Sequence, residues 1–223
     1  MSVVSTTKTV KEIAAELPGA AEIFRRTGLN FCCGGDVALE AAAVQAGLDV
    51  DQLVVELKGL EDAAKRDAPD VTDALVDYVI NRYHSAHRAE LEWLIPLAQK
   101  VERVHGSHAK APNGLAETLI ALKGDLETQM HFEETVLFPV MLHESSRLDL
   151  SQLQESRNAS KGLSQHLEAV EHVTGGLQLP QGACGSWTAL YTGLTKFCDD
   201  LVAHMHVENS VLFSRFETAG TAA

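Results

Sequence analysis

The segment HMHVENSVLF, residues 204–213, decides the fold class of this chain. His204 and Glu208 are four residues apart, so on a helix their side chains lie on one face, about 6 Å apart. Leu201 and Leu212 continue the same helical stripe, which directs the pair towards an apolar core. A histidine and a glutamate on the core face of a helix are typical of a helical bundle that binds metal.

The segment QMHFEETVLF, residues 129–138, is an imperfect copy of the first one. Both contain the pattern E-(E/N)-x-V-L-F, with Glu133 and Glu208 as the leading residues. Two carboxylates that enter one core from different helices are costly to bury unless a cation neutralises them. The pair therefore indicates a metal site.

The rest of the C-terminal part predicts four long helices. Two loops rich in glycine and proline, residues 106–114 and 175–183, separate apolar patterns of helical period. We expect kinks at Pro96 and Pro139, because proline lacks the backbone N–H of a helix interior. The expected helices are A over 72–105, B over 115–144, C over 150–174 and D over 186–216, in an all-α, up-down-up-down bundle.

In two antiparallel helices, residues that are equally many positions away from the connecting turn lie at the same height along the bundle axis. His84 lies 21 residues before residue 105, and Glu133 lies 19 residues after residue 114, so both have nearly the same height. The matching height on helix C is near residues 159–163. His105 is about 31 Å from His84 along the helix and cannot share a site with it.

The first 60 residues predict a small helical domain with a glycine turn that contains Cys32 and Cys33. These cysteines are either reactive or metal-binding thiols, or two small buried side chains. Cys184 and Cys198 lack a partner motif and are expected to be structural. The expected division is a Cys-Cys domain over 1–60, a charged linker over 61–70 and the bundle over 71–218.

Composition excludes several functions. The 223 residues carry a formal charge of −13, so phosphate-dominated contact with nucleic acid or an anionic membrane is unfavourable. We see no membrane span or secretion signal, and four cysteines do not form a disulfide scaffold, which favours the cytoplasm. All ten histidines lie at or after His84, as expected for a bundle that binds metal.

Five motifs resemble those of a known family. They are FRRTGLNFCCGG (24–35), RYHSAHR (82–88), KVERVH (100–105), EETVLFP (133–139) and the segment that opens this section. Together they are similar to the di-iron iron–sulfur cluster repair proteins (RIC), which join an N-terminal ScdA-type cysteine domain to a hemerythrin-like bundle. The resemblance implies that fold, and a non-haem di-iron centre held by histidines from all four helices and two bridging glutamates.

When the family's ligand positions are matched to this sequence, the resemblance implies the metal ligands His84, Glu133, His204 and Glu208. At the two remaining positions where the family has a ligand histidine, this sequence has Gln129 on helix B and, on helix C, a residue at or near Asn158. His131 and His166 point away from the expected site or lie too far along the axis to replace them. The surviving set could hold two irons, one iron, or manganese or zinc instead.

The resemblance implies repair of iron–sulfur clusters damaged by nitric oxide or peroxide. Its partners would be damaged or apo iron–sulfur proteins, with NO or O2 as small ligands and Cys32 or Cys33 as a catalytic thiolate. Two alternatives are a hemerythrin-like NO or O2 sensor or store, and a metal-depleted paralogue that binds partners as a scaffold. Whether the protein is an enzyme, and whether it forms a homodimer, stays open at this point.

Overall fold

The computed structural model describes residues 3–31, 35–66, 68–143 and 149–219. Within these residues the secondary structure is helical, apart from one isolated bridge between Thr9 and Ala38. The prediction of an all-α fold is confirmed. No helix in the described part of the chain is long and apolar enough to cross a membrane.

Four helices form the N-terminal part. Thr9 caps the first helix through a capping box with Glu12, and Gly28 ends the second in the left-handed region at φ 75°. Apolar side chains from all four helices share one core, with Phe24, Leu39 and Leu57 fully buried. The helices are α1 (Val10–Glu16), α2 (Ala20–Thr27), α3 (Leu39–Gln45) and α4 (Val50–Arg66).

Helix α4 is longer than the sequence predicted. It extends six residues into the segment expected to be a linker, because EDAAKR consists mostly of good helix formers. Glu61 is buried and accepts a hydrogen bond from the backbone N–H of Val3 at 3.3 Å. This contact ties the end of the N-terminal core to the start of the chain.

Four long helices form the bundle, and three of them contain a π-helical segment. Helix A packs against B and D, and B packs against C, which confirms the up-down order. Helix A is α5 (Thr72–Val79), π1 (Ile80–His84) and α6 (Ser85–His105); B is α7 (Leu115–Phe132), π2 (Glu133–Leu137) and α8 (Phe138–Leu142); C is α9 (Leu150–Thr174); D is α10 (Gly185–His206), π3 (Val207–Leu212) and α11 (Ser214–Ala219).

The bundle contains two apolar clusters along its axis. The larger one includes Leu94, Leu122 and Trp187, and the smaller one includes Tyr83 and Phe213. His84, Glu133, His204 and Glu208 belong to neither cluster, although all four are fully buried. A polar layer therefore interrupts the apolar core.

Helices C and D contact each other less extensively than the other neighbouring pairs. Helix α1 packs against α10 at this side of the bundle, and a cleft of 740 Å³ remains between α1 and helices C and D. His206 is hydrogen-bonded through Nδ1 to the backbone carbonyl of Glu16 at 3.1 Å, and Lys11 forms an ion pair with Glu168 at 2.9 Å. The N-terminal helices thus form one wall of the cleft.

Candidate metal centre

The structure brings the four predicted ligand residues together. One ligand atom from each of His84, Glu133, His204 and Glu208 lies within 4.8 Å of the others. The two Nε2 atoms of His84 and His204 are 3.1 Å apart, and Nε2 of His204 is 3.0 Å from Oε1 of Glu208. Nε2 of His84 is 3.6 Å from the nearest carboxylate oxygen of each glutamate. All four side chains converge on one point.

The π-helical segments position three of these side chains. In π2 the N–H of Phe138 donates to the carbonyl oxygen of Glu133, and in π3 the N–H of Phe213 donates to that of Glu208. The repeated sequence pattern is therefore a repeated π turn, with the glutamate first and the phenylalanine five residues later. Such turns are frequent at functional sites because one additional residue redirects the neighbouring side chains. π1 ends at His84 itself.

A carboxylate behind His84 fixes the orientation of its ring. Nδ1 of His84 is 2.7 Å from Oε1 of Glu134, and Arg88 binds the same carboxylate at 2.9 Å. A histidine that donates from Nδ1 to a carboxylate keeps the lone pair of Nε2 free for a metal ion. Glu134 and Arg88 therefore prepare His84 for ligation.

Several buried polar atoms at the centre have no hydrogen-bond partner in the described residues. They are Oε2 of Glu133, Oε2 of Glu208 and Nδ1 of His204, whereas Oε1 of Glu208 faces the imidazole of His204. Burial and the neighbouring charge of Glu208 raise the pKa of Glu133 well above its usual value. Burial would also raise the pKa of Glu208, but His204 and His84 outweigh it and lower this pKa. A bound cation would neutralise both carboxylates and use the unpartnered oxygens.

The donor set fits a transition-metal ion. Typical ligand–metal bonds of about 2.0–2.2 Å place ligand atoms on opposite sides of an ion about 4.4 Å apart. The observed limit of 4.8 Å is close to this value. Two imidazoles and two carboxylates suit iron, manganese or zinc.

Gln129 and two serines of helix C lie on the other side of Glu133. Nε2 of Gln129 donates to Oε1 of Glu133 at 2.9 Å and contacts Oγ of Ser160 at 3.3 Å. Ser156 donates to the same Oε1 at 2.5 Å. Ser160 lies within the range 159–163 that the comparison of heights indicated. Asn158, on or near which the resemblance placed a histidine position, does not face the centre itself, because it is exposed and accepts a hydrogen bond from Gln154.

Three of the other histidines, His131, His166 and His105, lie outside the centre. His131 is exposed, and His166 pairs with Asp125 at 2.8 Å. His105 lies at the far end of helix A, as expected, with Nε2 3.1 Å from Sγ of Cys184. Cys184 therefore has a partner that the sequence did not indicate, because His105 ends helix A and Cys184 directly precedes helix D, 79 residues later. Cys198 is buried, and burial raises the pKa of its thiol.

Cys32 and Cys33, the predicted thiolates, lie outside the described residues. The sequence analysis also missed Glu134, Ser156 and Ser160. Glu134 directly follows a proposed ligand, and Ser156 and Ser160 have the i, i+4 spacing of one helical face. These two signals could have identified them.

Two family models match the chain. ScdA_N, a "Domain of Unknown function (DUF542)", matches residues 6–61, and the Hemerythrin HHE cation binding domain matches residues 75–216. The fold and the site thus define a protein of the hemerythrin HHE class with an ScdA_N domain in front of it.

Curated relatives narrow this class to one family. The iron-sulfur cluster repair protein YtfE of Pectobacterium atrosepticum is 38% identical over 208 residues, which cover 92% of this chain and 94% of the relative. YtfE of Yersinia pseudotuberculosis is 37% identical over 206 residues, covering 91% and 93%. A probable iron-sulfur cluster repair protein of Haemophilus influenzae is 36% identical over 211 residues, covering 92% and 95%. The chain belongs to the iron-sulfur cluster repair protein YtfE family.

Proposed function

We propose that this protein restores iron–sulfur clusters damaged by nitric oxide or peroxide in the cytoplasm. The observation that carries the proposal is the buried set His84, Glu133, His204 and Glu208, in a chain whose relatives are named as iron–sulfur cluster repair proteins. Bound non-haem iron would supply redox chemistry and open positions for NO or O2. The partners would be apo or damaged iron–sulfur proteins.

The chain's own residues would hold the iron at moderate strength. Imidazole and carboxylate ligands, without any thiolate in the described set, favour retention of iron that can still be released as cargo. Glu134 fixes the ring of His84, and Gln129 and Ser156 fix one oxygen of Glu133. These contacts keep the ligands in place when the iron leaves.

Cys32 and Cys33 would receive or relay the released iron. The backbone N–H of Lys11 donates to the carbonyl oxygen of Gly35 at 3.0 Å, and Lys11 lines the cleft between α1 and helices C and D. Ser160 lines the same cleft and contacts Gln129 beside the candidate centre. The cleft therefore offers a route between the metal ligands and the chain next to Cys33.

Transfer of iron tests this proposal. The iron-loaded protein is incubated with an iron–sulfur protein whose cluster NO has damaged, and the recovery of the acceptor's activity and cluster absorbance is followed. Glu133→Ala and Glu208→Ala should abolish iron binding and repair while helical content stays constant, and Glu92→Ala, at an exposed bundle position, should change neither. Cys32→Ser with Cys33→Ser should retain iron but lose transfer.

Each contrary result has a distinct meaning. Stoichiometric iron in both glutamate variants would contradict the proposed ligands. A spectral change with NO but no transfer of iron to any acceptor would contradict repair and favour the hemerythrin-like sensor or store. Repair by metal-free protein would support the scaffold alternative.

A further inference from the structure

Neutral side chains fill one side of the candidate centre. Gln129 is 3% exposed, Ser156 1% and Ser160 4%, and all three face Glu133 or one another. Gln129 bridges Oε1 of Glu133 and Oγ of Ser160, and the hydroxyl of Ser160 continues to the backbone carbonyl of Ser156 at 3.1 Å. These hydrogen bonds start and end on Oε1 of Glu133, and the three residues that make them, the Gln129–Ser156–Ser160 network, contribute no charge and no imidazole.

The network makes the two oxygens of Glu133 inequivalent. Oε1 accepts hydrogen bonds from Gln129 and Ser156, at 2.9 and 2.5 Å. Oε2 has no hydrogen-bond partner and lies on the side of His84. A carboxylate that bridges two metal ions gives one oxygen to each ion, but here Oε1 is already bound by two donors. Only Oε2 is available for a metal.

The charge of the buried side chains gives a second, independent reason to expect a single metal ion at this centre. The buried centre contains two carboxylates, Glu133 and Glu208, whose combined charge balances one divalent cation. Glu134 is neutralised by Arg88 at 2.9 Å and is not available for this role. A second divalent ion would leave two positive charges uncompensated in a buried site, which is strongly unfavourable.

We propose that this chain binds a single divalent metal ion through His84, Glu133, His204 and Glu208, and that the Gln129–Ser156–Ser160 network occupies the place of a second ion. The inference rests on the proposed metal-centred function and specifies it. It differs from the di-iron centre that the family resemblance implied.

The test is the number of metal ions per chain. Wild-type protein and a Gln129→His/Ser160→His double variant are loaded anaerobically with Fe²⁺, desalted and measured by elemental analysis. The double variant adds an imidazole on helix B and another on helix C at the positions of the network. The matched control is Thr128→His/Lys161→His, which adds two histidines at neighbouring exposed positions.

We expect about one iron per chain in the wild type and the control, and about two in the double variant. After oxidation, electron paramagnetic resonance should show an isolated high-spin ferric ion in the wild type and loss of this signal through coupling in the double variant. Circular dichroism checks that each variant is folded, and the wild-type count decides the single-ion claim even if the double variant fails to fold.

Other counts overturn the inference in distinguishable ways. Two coupled irons in the wild type would overturn the single-ion assignment but leave the proposed function intact. One iron in a folded double variant would overturn the assignment of the network to the second position. No bound metal in the wild type would overturn both this inference and the proposed function.

Discussion

Replacing Glu133 by glutamine should stabilise the metal-free protein. Glutamine has nearly the same shape, and its Oε1 can still accept the hydrogen bonds from Gln129 and Ser156. Its amide replaces the unpartnered Oε2 and can donate towards Glu208 or Nε2 of His84, both close by. The substitution removes one of two buried carboxylates that no cation neutralises in the metal-free state.

The expected gain is about 2 kcal/mol, since a buried donor or acceptor without a partner costs about 1–3 kcal/mol, and more when it is charged. For a chain of this size, about 2–4 °C of melting temperature corresponds to each kcal/mol, so the shift is about 4–8 °C. Bound metal should reverse the order of the two melting temperatures. At a free concentration 100 times the dissociation constant it stabilises the wild type by about 2.7 kcal/mol, whereas the variant has lost a charged ligand.

Differential scanning fluorimetry with and without Fe²⁺ or Mn²⁺ measures both effects, with Glu92→Gln as the exposed control of equal charge change. The reasoning predicts that the variant melts above the wild type without metal and below it with saturating metal. It would be refuted if the metal-free variant melted lower, or if metal shifted both proteins equally.

The ion pairs of two further carboxylates, Asp200 and Glu171, give predictions away from the centre. Burial raises the pKa of Asp200, but Arg82 and Lys196 outweigh it and lower this pKa, so Asp200→Asn should cost about 0.5–1 kcal/mol at pH 7. Because the folded-state pKa is lowered, this stabilisation is complete above the unfolded pKa of aspartate, about 3.9, and is lost as the pH falls through the folded-state pKa. Urea titrations should therefore show the difference between wild type and variant shrink as the pH falls below about 4. Arg25→Ala leaves the buried Glu171 of helix C without its 2.9 Å partner and should cost about 1–3 kcal/mol, with faster proteolysis of the N-terminal helices. Arg26→Ala, whose partner Glu56 is exposed in the same N-terminal part, should change proteolysis little; equal effects of both variants would contradict the role of Arg25.

Local signals predicted most of the bundle. Helix C begins after the N-cap Asp149 and ends at Gly175 in the left-handed region, and both boundaries agree with the sequence analysis. The equal heights of His84 and Glu133 followed from counting residues from the turn, and the pairing of His204 with Glu208 followed from helix periodicity, whereas the full set of four ligands came from the family resemblance. Both arguments use distances along regular helices, which are nearly constant.

The remaining features depend on contacts or on departures from regular geometry. A π turn differs from an α-helix by one residue, and neither Phe138 nor Phe213 marks it in a single sequence. Serines such as Ser156 are common on helix surfaces, so the spacing of Ser156 from Ser160 could single it out in the sequence but could not show its contact with Glu133. The repeated pattern could be seen in the sequence, but its meaning as a repeated backbone turn could not.

The coordination of bound iron tests the central claim most directly. X-ray absorption spectroscopy of the iron-loaded protein measures the elements and imidazole rings around the metal. Our account predicts only nitrogen and oxygen neighbours, with the outer-shell scattering of two imidazoles, from His84 and His204, and loss of one imidazole in His204→Leu. Sulfur in the first shell, or the absence of imidazole scattering, would contradict the assignment of the centre to His84, Glu133, His204 and Glu208.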